Sequence, residues 1–195
     1  MLRYVDRHNH YVLVREMKAF TQGFSMIELM VTLVVLSVII VLAAPSFGEM
    51  LDSSRMAAAA GELTSDFSLA RTEAARRGKR VTLCVSSDGA TCSSSATNWN
   101  VGWIVFADVV ADGVLTASEG DELLRRRDAI SSSGGLSFVS SGLTSSGRVQ
   151  FRPSGAADSE GTFLLCKSGK PGANGRLITL KYSGAVTRAT GATCT

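Results

Sequence analysis

The stretch that decides the fold is Gly23-Phe24-Ser25-Met26-Ile27-Glu28-Leu29-Met30-Val31-Thr32-Leu33-Val34-Val35-Leu36-Ser37-Val38-Ile39-Ile40-Val41-Leu42-Ala43-Ala44. From Phe24 to Ala44 it holds 21 residues with a single charge. As a helix it is about 31 Å long at roughly 1.5 Å per residue. A bilayer core is about 30 Å thick. A helix buried in a globular core is rarely apolar on every side over such a length. A secretory signal has an apolar core of roughly 7–15 residues before a small-residue cleavage site, and only Ala43-Ala44 points that way. The expectation is a retained transmembrane helix over 24–44. Ahead of it Arg3, Arg7, Arg15 and Lys18 face only Asp6 and Glu16, and Glu49 and Asp52 follow it. Such a charge bias directs the N-terminus to the cytoplasm and the remainder to the periplasm or exterior.

Glu28 stands against this pattern. A carboxylate in lipid costs several kcal/mol unless it reaches water or finds a partner. The first option is a position close enough to the interface for hydration. The second is a cation from another chain. A cut after Gly23 gives Phe24 a new α-amino group, and Glu28 of one copy can then pair with that amine on a neighbour, neutralising both charges and fixing the axial stagger of packed helices.

Residues 23–31, Gly-Phe-Ser-Met-Ile-Glu-Leu-Met-Val, resemble the class III leader and first turn of type IV pilins and type II secretion pseudopilins. The resemblance implies that residues 1–23 are a leader, that a prepilin peptidase cuts between Gly23 and Phe24 and methylates Phe24, and that Glu28 serves assembly. It also implies other pilins or pseudopilins as partners through helix packing, and the bacterial inner membrane as the waiting place.

Beyond Pro45, which kinks a helix or marks its exit from the membrane, Met56, Ala60, Leu63, Phe67, Ala70 and Ala74 recur at intervals of four and three. This is one stripe of an amphipathic helix. Glu62, Asp66, Arg71, Glu73 and Arg77 are expected elsewhere on its surface. Gly78 is the expected stop, with Arg76 and Arg77 complementing the helix dipole. The helix should thus continue over 45–79.

From Arg80 the period changes to two. Val81-x-Leu83-x-Val85, Val101-x-Trp103-x-Val105, Val149-x-Phe151 and Ile178-x-Leu180-x-Tyr182 read as strands. So do Leu123–Arg126, Leu136–Val139, Thr162–Cys166 and Ala185–Arg188. Turn pairs such as Asp88-Gly89, Asp112-Gly113 and Pro171-Gly172 separate them. Residues 131–147 carry eight Ser and four Gly, so pairing there is undetermined. The fold class expected is α+β: a long N-terminal helix, transmembrane first and amphipathic second, packed on an antiparallel two-sheet β domain over 80–195.

This region extends the resemblance. Ser68–Ala74 with Arg77-Gly78, Gly102-Trp103-Ile104-Val105-Phe106 with Asp108, and Val149–Gly155 are similar to motifs of the FimT/GspH family of minor pilins and pseudopilins. Some FimT-like members bind DNA through a C-terminal G-R-x-R motif. The matching stretch here is Gly184-Ala185-Val186-Thr187-Arg188, with Arg188 one place late and both motif arginines replaced. Arg176 and Lys181 are the residues that would compensate. From Arg148 onward seven basic residues face only Asp158 and Glu160, whereas the chain after Gly23 carries 16 Lys and Arg against 15 Asp and Glu. Double-stranded DNA taken up during transformation is therefore a secondary expected partner of Arg176, Lys181 and Arg188; the alternative is a dispersed, solvated surface.

Four cysteines, Cys84, Cys92, Cys166 and Cys194, contain no C-x-x-C pair, which disfavours zinc and thioredoxin-type sites. In an exported domain they should be oxidised. Of three connectivities, Cys84–Cys92 with Cys166–Cys194 is favoured; four buried free thiols are the alternative. Both histidines, His8 and His10, precede Gly23, so a processed chain has none for a triad or a His-bound metal. Asp108, Asp112 and Glu119 lack the spacing of a calcium loop and are expected to be solvated. No catalytic residues, cofactor or metal are expected. The function expected is that of a minor pilin, incorporated into or priming a type IV pilus; the alternatives are a GspH-like minor pseudopilin of type II secretion and a DNA-binding receptor at the pilus that binds through the basic C-terminal region.

Overall fold

A computed structural model describes residues 23–93, 97–130, 135–144 and 147–194, with backbone alone at 42–46 and 173. The expected leader, apart from Gly23, and the side chains that close the apolar run lie outside the described residues. The chain divides into two compact units, Met1–Ser46 and Phe47–Thr195. Helix α1, Met26–Arg77, contributes to both.

In the first unit every described side chain from Phe24 to Val41 is exposed. A helix that is apolar all round needs lipid or other helices as cover. Its two hydroxyls turn back on their own backbone: Thr32 Oγ1 donates to the Leu29 carbonyl at 2.9 Å and Ser37 Oγ to that of Val34 at 2.7 Å. Neither therefore needs water. Among the described residues no helix is long and apolar enough to cross a membrane; the described side chains of the apolar run stop at Val41, three short of Ala44.

In the second unit the stripe Met56, Ala60, Leu63, Phe67, Ala70 and Ala74 is buried throughout. Gly78 follows the last helical residue at φ +63°, the left-handed conformation that ends a helix at little cost to glycine. Eight strands follow among the described residues: β1 Arg80–Val85, β2 Trp103–Asp108, β3 Glu122–Arg127, β4 Leu136–Ser141, β5 Arg148–Phe151, β6 Gly161–Lys167, β7 Gly172–Leu180 and β8 Val186–Cys194. They form two four-stranded sheets, β3-β2-β1-β5 and β4-β6-β7-β8, with every pairing antiparallel. Phe67 joins the layers, its ring 6.0 Å from that of Phe151 in the first sheet and 5.2 Å from that of Phe163 in the second. Trp99 and Trp103 complete this aromatic centre, with Trp99 edge-on to Phe163 at 5.2 Å.

Several elements differ from the expectation. Trp99–Val101 is a 3-10 turn rather than the start of β2. Gly102 explains the break: at φ 105° a Cβ would sit 2.4 Å from the Arg127 carbonyl oxygen. β2 is buried on both faces, because Ile104 and Phe106 form a second small core with Cys84, Cys92 and Leu115 on the face away from α1. β7 begins at Gly172 and ends before Tyr182, which is exposed in the following turn. β8 runs nine residues, to Cys194. Within the Ser-rich stretch, β4 pairs in register with β6 from Leu136–Lys167 to Ser141–Thr162. Both favoured disulfides are present, Cys84–Cys92 and Cys166–Cys194, with Cα separations of 5.6 and 5.7 Å.

Candidate functional site

The start of α1 is organised by two residues. Glu28 donates its backbone N–H to Ser25 Oγ at 3.4 Å, and the Leu29 N–H reaches the Ser25 carbonyl at 3.1 Å. Ser25 is the N-cap, and Ser25-x-x-Glu28 has the spacing of a capping box. Glu28 lies in the first turn, where a negative charge complements the helix dipole. Phe24, Met26 and Ile27 around it are exposed. The segment therefore presents an acidic group within an apolar sheath, close to the residue that a leader cut would make the N-terminus. The capping-box spacing was the signal in the sequence for the role of Ser25.

Two buried carboxylates pin the globular unit, and both correct the expectation of solvated acids. Asp66 is fully buried. It accepts Trp103 Nε1 at 2.9 Å and Arg127 Nε at 2.9 Å, with Arg125 Nε 3.8 Å away. Its charged hydrogen bond holds the Arg127 guanidinium above the usual arginine range. The Trp103 of the family-like strand and the edge strand β3 are thus both tied to α1. Asp108 is also fully buried; its Oδ2 accepts Thr82 Oγ1 at 2.7 Å, Gly113 N at 2.9 Å and Gln150 Nε2 at 2.9 Å. It fixes the loop after β2 and is not a solvated loop acid. Among the described residues no group of His, Cys, Asp or Glu converges as metal ligands would.

Near its middle, at residues 49–53, α1 is clasped by the second sheet. Lys170 Nζ donates to Glu49 at 2.7 Å, Lys167 pairs with Asp52, and Arg176 Nη2 donates to the Ser53 carbonyl at 3.3 Å and hydroxyl at 3.1 Å. The Lys170 ammonium lowers the Glu49 carboxyl below the usual carboxylate range, and Lys167 does the same to Asp52.

The three basic residues expected to contact DNA lie in and around the β7–β8 hairpin. Arg176 belongs to the clasp. Lys181 lies at the β7–β8 turn, beside Glu160 and Thr179. Arg188 is exposed on the edge strand β8, opposite Ile178. The glycine of the motif-like stretch, Gly184, has a packing reason: at φ +75° its missing Cβ leaves room for the Gly155 carbonyl oxygen, which would lie 2.1 Å away, and its own carbonyl accepts Arg71 Nη1 at 3.3 Å.

Comparison with known proteins agrees with this architecture. The family model described as "Type II transport protein GspH" matches residues 59–184, and the prokaryotic N-terminal methylation motif matches residues 19–44. No curated protein sequence matches the chain. Among solved structures, the type IV minor pilin FimU of Pseudomonas aeruginosa is similar in fold at a TM-score of 0.55 and 20% identity, covering 73% of this chain and 93% of FimU. A second crystal form of FimU gives 0.51 at 21% identity, covering 69% and 92%. The minor pseudopilin EpsH of the Vibrio cholerae type 2 secretion system gives 0.48 at 13%, covering 70% and 97%. The match over most of the second unit, preceded by the methylation motif, shows that this chain belongs to the GspH family.

Proposed function

We propose that this chain is a minor pilin of a type IV pilus. In this reading residues 1–23 are a leader removed by a prepilin peptidase, and Phe24 becomes the methylated N-terminus. Residues 24–44 span the inner membrane with the N-terminus cytoplasmic, and 45–79 continue the helix. The β-rich unit over 80–195 stands in the periplasm until the subunit enters the fibre. Glu28 then pairs with the α-amino group of Phe24 on an adjacent pilin. The observation that carries the reading is the union of two features in one chain, the methylation motif over 19–44 and the GspH-type unit over 59–184. The fully exposed apolar surface of Phe24–Val41 supports it, since that surface needs lipid or neighbouring helices as cover.

Glu28→Ala tests the pairing. The variant should still insert into the membrane, because a charge has been removed from an apolar segment. Its recovery in purified fibres should fall by at least about tenfold, the effect of roughly 1.4 kcal/mol on an equilibrium. Recovery equal to wild type contradicts the pairing.

A second reading, a minor pseudopilin of type II secretion, is favoured by the description of the family model itself. Recovery of the tagged chain with pili or with secretion pseudopili decides between them. DNA capture during transformation is a further role within the first reading, supported by the exposure of Lys181 and Arg188. It requires salt-sensitive retardation of duplex DNA by the purified chain, weakened in the Arg176, Lys181 and Arg188 triple Ala variant.

A further inference from the structure

The clasp encloses an open cavity of about 360 Å³, lined by Glu49, Asp52 and Ser53 of α1 and by Lys167, Lys170 and Arg176 of the second sheet. Three cations and two carboxylates line it, and Arg55 stands beside Asp52 at 3.8 Å. Arg176 brings an unsatisfied donor: its Nε is buried and has no hydrogen-bond partner among the described residues. A buried N–H without an acceptor is costly. With one more cation than carboxylates in its lining, and such a donor, the cavity suits a small anion.

The sequence says which anion is at hand. Glu49 is five residues beyond Ala44, the last residue of the apolar run. Five residues reach at most about 18 Å when fully extended. Lys170, bonded to Glu49 at 2.7 Å, is therefore tethered no farther than that length of chain, plus the two side chains, from the end of the apolar run. Around Lys170 the hairpin residues Ser168, Gly169, Pro171 and Gly172 are all exposed. Glu49 and Lys170 are themselves largely exposed, with side-chain accessibilities of 70% and 44%, and pairs of that kind exchange partners at little cost. Tethering to the bilayer also keeps the effective concentration of head groups high, so that a contact too weak for a free domain becomes occupied.

We propose that this cavity receives the phosphate of an anionic phospholipid from the bilayer in which the chain waits, with Lys170 and Arg176 as its donors. The inference rests on the membrane-anchored reading above. It gives the β6–β7 hairpin a function that resides neither in the helix nor in the fibre: the globular unit is steadied against the membrane before assembly, and the contact is released when the subunit leaves.

The full chain, reconstituted in nanodiscs of phosphatidylcholine alone or with phosphatidylglycerol, provides the test. Acetylation rates of individual lysines are read by mass spectrometry, with Lys79 and Lys181 as internal references. Lys170 should be acetylated several-fold more slowly in the anionic discs. The protection should disappear at high salt and weaken in Arg176→Gln, while Lys79 and Lys181 keep their rates. Equal Lys170 rates in the two discs, in a chain that has inserted, overturn the inference alone. A chain that associates with neither disc overturns the membrane-anchored reading together with it. Equal protection by inorganic phosphate or by duplex DNA added to phosphatidylcholine discs shows a free anion or nucleic acid as the ligand, and overturns the lipid assignment.

Discussion

Asp66 shows how much one side chain carries. It lies on the apolar stripe, three residues after Leu63 and four before Ala70, yet it is a carboxylate. Burial is tolerated because Trp103 Nε1 and the Arg127 guanidinium satisfy it. Asp66→Ala leaves an indole N–H and an arginine without their acceptor. The expected loss is about 3 kcal/mol, read as a lowered urea midpoint with unchanged m-value. A loss below about 1 kcal/mol would mean that α1 and β3 are held chiefly by apolar contact. Asp66 was expected on the surface because it is charged, although its spacing from Leu63 and Ala70 fits the buried face, and nothing in the sequence revealed that Trp103 and Arg127 would meet it. Asp108 was obscure for the same reason: its partners Thr82, Gly113 and Gln150 come from three separate segments. Glu28, by contrast, was legible, since one acid in an apolar run is visible without knowledge of the fold.

Elements read well where one periodicity ruled and poorly where two cores competed. The stripe of α1 and its stop at Gly78 followed from spacing and from glycine's access to positive φ. β2 was misplaced at its start because Val101 is apolar in a tight turn, and its second buried face depends on the loop closed by Cys84–Cys92. β7 was misplaced because Gly172–Gly175 offers few apolar side chains to mark a strand. The C-terminal turn of α1 yields a pH-dependent prediction. Hydrogen bonds from Arg76 and then Arg77 hold the Glu73 carboxyl down at about 2, against an ordinary 4.5. The folded value is the lower one, so this contribution is complete above pH 4.5 and disappears as pH falls through about 2. Glu73→Gln should therefore lower the urea midpoint at pH 7, with the gap to wild type closing between about pH 5 and pH 2. A gap that persists at pH 2 would assign the effect to packing and not to charge.

At the scale of the whole molecule, two covalent loops and one exposed apolar helix define the behaviour. Cys166–Cys194 closes a sequence separation of 28 residues and anchors the edge strand β8 to β6. Replacing both cysteines by serine should cost about 3–4 kcal/mol on the chain-entropy model, against about 2–3 for Cys84–Cys92, whose separation is 8. Thermal midpoints of the two variants test that order, and a reversed order would mean that the small core under the Cys84–Cys92 loop governs stability. The first unit has no such internal support among its described residues; its apolar surface is exposed, and in the proposed reading a membrane and neighbouring subunits cover it. Everything proposed for assembly depends on where the functional chain begins. Intact-mass analysis of the protein extracted from membranes measures this directly. The mass should correspond to residues 24–195 with the two disulfides and one added methyl group. A mass that retains any part of residues 1–23, or that starts beyond Phe24, would contradict pairing between Glu28 and the neighbouring amine.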